Sequence, residues 1–328
     1  MTTTTTTPMP GSPAWMRPLG RTGLQVSAIC AGGSPLGSMA KLYGREVGAD
    51  EGVATVRAVL GSPIRFIDTS NGYSDGESER RIGAAIAASG GVPDGFLVGT
   101  KVDALGRDYS GDRVRASVAE SRRRLGIDHL PLVHLHDPES FDFDEITAPG
   151  GAVDALVALK ESGQVGAIGL AGGRVQEIAR YLALGVFDVL LVHNRWTLLD
   201  RSAGALIAEA HARGMGILNA AVYGGGILAS HGDGPMTYGY RPAPPETLGA
   251  ITAMREVCVA HRTDLATAAL QFSLRDSRFS STVVGMSRPG RVADTVAAAS
   301  RQVPDALWAD LETLLPPEHV WLDAPFEP

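Results

Sequence analysis

From residue 26 to residue 299, short apolar or β-branched runs alternate with longer alanine-rich stretches whose apolar residues recur three or four positions apart. Runs of the first kind fit strands buried on both faces, and stretches of the second kind fit helices with one apolar side. Eight strands are predicted, at 26–31, 64–67, 96–100, 132–135, 166–170, 189–192, 216–219 and 282–284. A helix follows each, at 52–60, 77–88, 113–125, 152–161, 175–184, 203–213, 245–261 and 291–299. Repeated βα units imply parallel strands with right-handed crossovers, and eight such units close a barrel. An open doubly wound sheet alternates in the same way, but its G-x-G-x-x-G turn after the first strand is missing; Gly32-Gly33-Ser34 does not match it. The expected fold class is therefore α/β, a (β/α)8 TIM barrel.

Residues 17–27 carry Gly20-Arg21-Thr22-Gly23 between short apolar segments, which predicts an N-terminal hairpin capping one end of the barrel. A loop and helix extension follows the last βα unit. Residues 1–16 are rich in Thr, Pro and Gly and bury too little apolar surface to offset the entropy of ordering them, so a flexible tail is expected there. Residues 17–328 are read as a single domain. The chain of 328 residues is 44% hydrophobic, and its Pro-rich stretch 241–245 falls in a βα loop and not in a linker.

Charge narrows the partner. The formal net charge of -7 is spread along the chain without blocks of one sign, which speaks against a nucleic-acid groove or a membrane-binding surface and leaves a small-molecule substrate. No apolar run is long enough to span a bilayer, and the N-terminus lacks the regions of a signal peptide. Cys30 and Cys258 show neither disulfide framework nor metal-ligand spacing. A cytoplasmic location is expected, and nothing in the pattern sets an oligomeric state.

In an eight-stranded barrel the βα loops converge at the C-terminal ends of the strands, so polar residues there are the candidates for chemistry. The second predicted strand leads to Asp68, the third to Lys101 and the fourth to His136, while Tyr73 lies in the loop after Asp68. A tyrosine hydroxyl, with a pKa of ~10, is a poor acid or base at neutral pH, but a nearby ammonium favours its phenolate. Lys101 can supply that ammonium, Asp68 can hold the amine, and His136 can bind a substrate oxygen and share in the proton relay. Each also has a structural reading: Asp68 as a turn cap, Lys101 as a solvated charge, Tyr73 as loop packing. His134, one step deeper on the same strand face, competes with His136 and reads equally as a hydrogen-bonded core group. Together the four types point to proton transfer coupled to hydride transfer with a nicotinamide, with no metal. A metal-dependent hydrolase with His134 and His136 as paired ligands is the alternative, and it lacks further ligands at matching strand ends.

These residues resemble those of the aldo-keto reductases, a family of (β/α)8 barrels that use an Asp-Tyr-Lys-His tetrad with NAD or NADP. The likeness runs from Arg17 to Trp308. It is carried by Phe66-Ile67-Asp68-Thr69-Ser70-Asn71-Gly72-Tyr73, by Gly76-Glu77-Ser78-Glu79-Arg80, by Gly99-Thr100-Lys101 and by His134-Leu135-His136-Asp137-Pro138. Residues 195–200, 219–229 and 238–246 are similar to the aldose 1-dehydrogenase branch, which includes L-fucose, L-galactose and pyridoxal dehydrogenases. That likeness implies oxidation of an aldose at C1 to a lactone, with Tyr73 taking the hydroxyl proton. An NADPH-dependent aldehyde or ketone reductase would use the same tetrad. A regulatory or interaction subunit that retains nicotinamide binding, like the potassium-channel β-subunits that resemble this family, is the alternative of a different class.

The same resemblance implies that backbone amides in 221–228 hold the pyrophosphate, with Gly224, Gly225, Gly226, Ile227 and Leu228 after Asn219. It assigns the adenosine end to Gly285, Ser287, Arg288, Arg291, Asp294 and Thr295, and it brings Gly33, Ala171 and Gly172 among the cofactor contacts. Many relatives have Ser-Asn in place of Ala171-Gly172, a stacking tyrosine in place of Ala220 and an Asn in place of Thr295. Some use a lysine at the Met286 position for a 2′-phosphate, a role left here to Arg288 or Arg291. The branch likeness leans to NAD, with NADP open. Substrate selectivity is expected from loops 38–48, 141–150, 230–245 and 316–328, with Trp196, Tyr238 and Trp321 read either as faces for a sugar or as packing rings.

Overall fold

The first predicted strand, 26–31, divides at Ala28. Its first part becomes β2 (Gln25–Ser27), which pairs antiparallel with β1 (Met16–Pro18), and its second part enters the barrel as β3 (Ile29–Gly32). Local bonds explain the break: Ala28 N donates to Trp15 O at 2.7 Å, and Ser27 Oγ donates to Ile29 O at 2.6 Å. The computed structural model describes residues 7–40, 44–230 and 236–325. Within them β3, β4 (Phe66–Asp68), β5 (Leu97–Val102), β6 (Leu130–His136), β7 (Val165–Gly172), β8 (Val189–His193), β9 (Gly216–Ala220) and β12 (Ser281–Gly285) form a closed parallel barrel. Pairing of β12 with β3, Thr282 opposite Ile29 and Gly285 opposite Gly32, closes it. A two-stranded ribbon, β10 (Thr237–Tyr238) and β11 (Arg241–Pro242), lies outside the barrel sheet.

Alternation along the strands sorts the side chains. In β6, Leu132 belongs to the cluster that fills the barrel, and Val133 and Leu135 pack outward in the layer under the helices. The barrel interior also holds Cys30, Phe66, Leu97, Val189, Leu218 and Val283, joined by Leu19 and Val26 of the hairpin. The hairpin therefore closes the end where the strands begin. Gly20 makes this possible: its φ is +54°, and a Cβ would lie 2.1 Å from Gly216 N.

The eight predicted helices form, each within about one turn of its expected ends. A further helix, Leu265–Arg275, was not anticipated, because one helix per strand is the rule that the periodicity suggests. Asp264 caps it, accepting from Thr267 N at 2.8 Å. This helix packs on β12 and on Pro289–Ser300, whereas Pro245–Ala260 packs on Ala306–Glu312 in a second apolar cluster that includes Ile251, Met254 and Leu311. Among the described residues, no helix is long and apolar enough to cross a membrane.

Residues 1–6 of the expected tail lie outside the described residues. Its remainder is not all tail: Pro13–Trp15 form a 3-10 turn, Met16 opens β1, and buried Trp15 donates its indole N–H to Pro63 O at 2.8 Å. One large ring is enough to dock this end of the chain. Of the expected selectivity loops, 41–43, 231–235 and 326–328 also fall outside the described residues.

Candidate active site

Strand register sets the height of each reactive group. Asp68 pairs with Gly99, so Lys101 stands one inward step above it; Lys101 pairs with His134, so His136 stands one step higher again. Lys101 Nζ donates to Asp68 Oδ2 at 2.5 Å, to Thr69 O at 2.8 Å and to Tyr73 Oη at 3.3 Å. It also lies 4.8 Å from the centre of the Tyr73 ring. Lys101 is 1% exposed and Asp68 3%, so neither charge is shared with bulk water. Burial opposes the ammonium, but the pull of Asp68 and Tyr73 outweighs it and raises Lys101 above the ordinary lysine value. Gly99, beneath Lys101, leaves room for the Phe66 ring, which would come within 3.3 Å of a Cβ there.

The fourth expected residue joins this group. The rings of Tyr73 and His136 meet edge to face with centroids 5.6 Å apart. His136 Nδ1 lies 2.6 Å from Asp103 Oδ1, and Asp103 Oδ2 accepts from Ser70 Oγ and, at 2.7 Å, from Gly72 N. Burial works against the Asp103 carboxylate, yet His136 and these donors pull its pKa down to about 2. Burial likewise works against a charged His136, yet Asp103 and Asp137 raise it. Tyr109 Oη accepts from His136 N at 2.9 Å and donates to Val102 O at 2.8 Å, fixing the strand end.

Asp103, Ser70 and Tyr109 were missed by the sequence reading. For Asp103 a signal existed, since in Lys101-Val102-Asp103 the acid shares the inward face of the lysine. His134 differs from its expectation as a hydrogen-bonded core group. It is fully buried, neither ring nitrogen has a hydrogen-bond partner among the described residues, and burial with the nearby Lys101 holds it well below the ordinary histidine value. Gly169 makes the space for its ring, since a Cβ there would stand 2.0 Å from Nδ1. Among the described residues, no group of three His, Cys, Asp or Glu side chains is placed to hold a metal ion.

The expected cofactor residues separate into those with an open face and those without. Gly224, Gly225 and Gly226 have φ of +60°, +77° and +107°, and a Cβ at Gly225 would meet open space. Such a turn presents backbone closely to a ligand, which suits a pyrophosphate. Ile227 and Leu228 are buried anchors in the second apolar cluster, so only their backbone is available. Asn219 turns its side chain outward, its Nδ2 donating to Trp196 O and Ser273 Oγ, both at 2.9 Å, because its neighbours Leu218 and Ala220 take the inward positions, so only its backbone faces the mouth. Ala171 lines the inner wall opposite His136, and Gly172 leaves room for Glu139, whose Oε1 accepts from Gly173 N at 2.6 Å. Gly33 N donates to Asp68 O at 2.7 Å, which packs it tightly beside the tetrad.

At the end where the family resemblance leads one to expect the adenosine, Arg291, Asp294 and Thr295 line a cavity of 340 Å³ together with Tyr223, Asp264 and Arg301. The Arg291 guanidinium lies 5.0 Å from the Tyr223 ring centre. Arg288 pairs with Asp294 at 3.3 Å, Ser287 O accepts from Arg45 at 3.1 Å, and Gly285 abuts Pro35. Thr295 Oγ1 donates to Arg291 O within its own helix, and Met286 is buried in the core. Of the three aromatic candidates for a sugar face, two are engaged in packing. Trp196 packs against Phe272 and the Arg201 and Arg278 guanidiniums, and Tyr238 is buried with its hydroxyl bonded to Thr197. Trp321 is half-buried, its indole N–H donating to Pro316 O.

Comparison with known proteins agrees with this geometry. Residues 28–316 match the model of the aldo/keto reductase family. The chain is 34% identical to an L-galactose dehydrogenase of Arabidopsis thaliana, over 91% of this chain and 92% of that protein. It is 31% identical to a D-threo-aldose 1-dehydrogenase of a Pseudomonas species, over 88% and 94% respectively. An aldo-keto reductase of Bacillus halodurans shares the fold with a TM-score of 0.73 at 20% identity, covering 95% of this chain and 98% of that one. With both its barrel and nearly its whole length accounted for in this way, the chain belongs to the aldo/keto reductase family of NAD(P)-dependent oxidoreductases acting on CH–OH groups.

Proposed function

We propose that the enzyme is an aldose 1-dehydrogenase in which Tyr73 is the proton-transfer group. The observation that carries this is the contact of the buried Lys101 ammonium with Tyr73 Oη, because it brings a positive charge to the one oxygen that must take up and release a proton. Asp68 keeps that ammonium charged and aimed. A sugar C1 hydroxyl held between Tyr73 and His136 gives its proton to Tyr73 as the C1–H electron pair departs, leaving a C1 carbonyl and hence a lactone. When bound, the nicotinamide accepts the hydride. Two of the dehydrogenases that the chain resembles act, by name, on L-galactose and D-threo-aldoses and a third on pyridoxal, which favours a sugar or another cyclic hemiacetal over a simple aldehyde.

The Gly224–Gly226 turn would hold the pyrophosphate, and the cavity beside Tyr223 and Arg291 would hold the adenosine. NAD is favoured. A 2′-phosphate would have to displace Asp294 from Arg288 and would meet Asp264, itself paired with Arg301 at 2.9 Å. Cys30 and Cys258 are both buried free thiols, which suits a reducing cytoplasm. The test is a screen of aldoses with NAD and with NADP, scored by lactone formation. Reduction of aldehydes by NADPH without oxidation of any aldose would replace this reading with that of a carbonyl reductase.

A further inference from the structure

We propose that Asp103 is a positioning residue that keeps His136 doubly protonated, with Nδ1–H held by the carboxylate and Nε2–H left to donate to the substrate oxygen, a role that rests on the proton-transfer reading above. Asp103 follows Lys101 by two residues and so turns to the same inward side of the chain. The 2.6 Å separation of its Oδ1 from His136 Nδ1 is short even for a charge-assisted bond. Its Oδ2 accepts from Ser70 Oγ and Gly72 N. A proton on Oδ2 would set a donor against the Gly72 N–H, and the donors on Oδ2 together with His136 hold the Asp103 carboxyl well below the ordinary range, so the proton between Oδ1 and Nδ1 belongs to the histidine.

The charges around His136 agree. On its own strand, Asp137 Oδ2 lies 3.8 Å from Nε2, and His134 below is held neutral by burial. On β5, Lys101 repels a second cation, but Asp68 of β4 pairs with it. On β8, His193 is pushed down to about 4, first by burial, so it too is neutral at working pH. Tyr73 presents a ring edge-on. Three carboxylates, Asp68, Asp103 and Asp137, thus face one ammonium, and a charged His136 offsets part of the excess. A doubly protonated imidazole has no lone pair, so it donates to the substrate oxygen and cannot compete with Tyr73 for the proton.

Two measurements test this. In the intact enzyme labelled with 15N-histidine, the His136 signal, identified by its loss in His136→Gln, is expected to show protons on both ring nitrogens at pH 7 and a midpoint above the ordinary ~6.5. In Asp103→Asn that midpoint should fall by about one unit or more, and the alkaline limb of kcat/KM should move to lower pH with it. A loss of structure alone would lower activity at every pH without moving the limb. A wild-type midpoint at or below ~6.5 overturns the assignment even if the variant fails to fold. So does an unshifted limb in a folded Asp103→Asn enzyme. The titration requires no turnover, so it separates failure of the Asp103 role from failure of the Tyr73 reading.

Discussion

On one side of the barrel mouth, β4 to β6 fix side chains with side chains: Lys101 against Asp68 and Tyr73, His136 against Asp103. On the other side, the loops after β9 and β12 are shaped by backbone, with three successive glycines at positive φ and with Ile227 and Leu228 as buried anchors. The charged groups there are of another kind. Arg288 and Asp294 are each more than half exposed and are paired with one another. The first side is electrostatically committed before a ligand arrives, which is where preorganised charge is most effective. The second side, where we propose the nucleotide binds, offers a shape and exposed charges free to re-pair, so changes on the two sides should fail in different ways.

The largest effect is expected at the point where the committed side meets the substrate. Tyr73→Phe should lower kcat by ~10²–10⁴-fold while the dissociation constant for the nicotinamide cofactor, followed by fluorescence, stays nearly unchanged. Near-normal turnover would remove the basis of the comparison. Lys101→Met should show the same side as a structural unit, because it strands the Asp68 carboxylate in the interior. A loss of about 3–5 kcal/mol in urea unfolding is expected, with little loss if Asp68 simply takes up a proton.

On the nucleotide side, Gly225→Ala places a Cβ on a residue at φ +77° where space is open, so strain alone is introduced. The free turn sheds that strain, about 1–2 kcal/mol, by leaving the conformation that a bound pyrophosphate requires, so cofactor binding should weaken by roughly fivefold to thirtyfold while kcat at saturating cofactor stays unchanged. The smallest effect is expected from Asp294→Asn, which releases an exposed arginine. A shift of several-fold in the NADP to NAD ratio of kcat/KM fits an ion pair worth about 0.5–1 kcal/mol, and an unchanged ratio would mean that Arg288 does not read the 2′-phosphate position.

Hydrophobic periodicity alone was enough for the barrel, its eight parallel strands and the placement of Asp68, Lys101 and His136 at adjacent strand ends, because alternation and helical spacing are local properties. The division of the first strand at Ala28 was not legible, since it depends on Trp15 and Ser27 bonds made only after the hairpin docks. Nor was helix Leu265–Arg275, whose packing partners lie on β12 and in Pro289–Ser300. The partner of His136 was hidden for the same reason. Asp103 is 33 residues away in sequence, and only barrel closure and the turn at Ser70 and Gly72 bring it to the ring. Asn219 shows the converse, a polar residue near the right strand end whose side chain the β9 pleat turns outward. Sequence by itself determined which elements form and which reactive types reach the mouth. The tertiary structure decided which of them face inward, which are paired and which stay charged, because register, pleat and burial are set by contacts between strands that are distant in the chain.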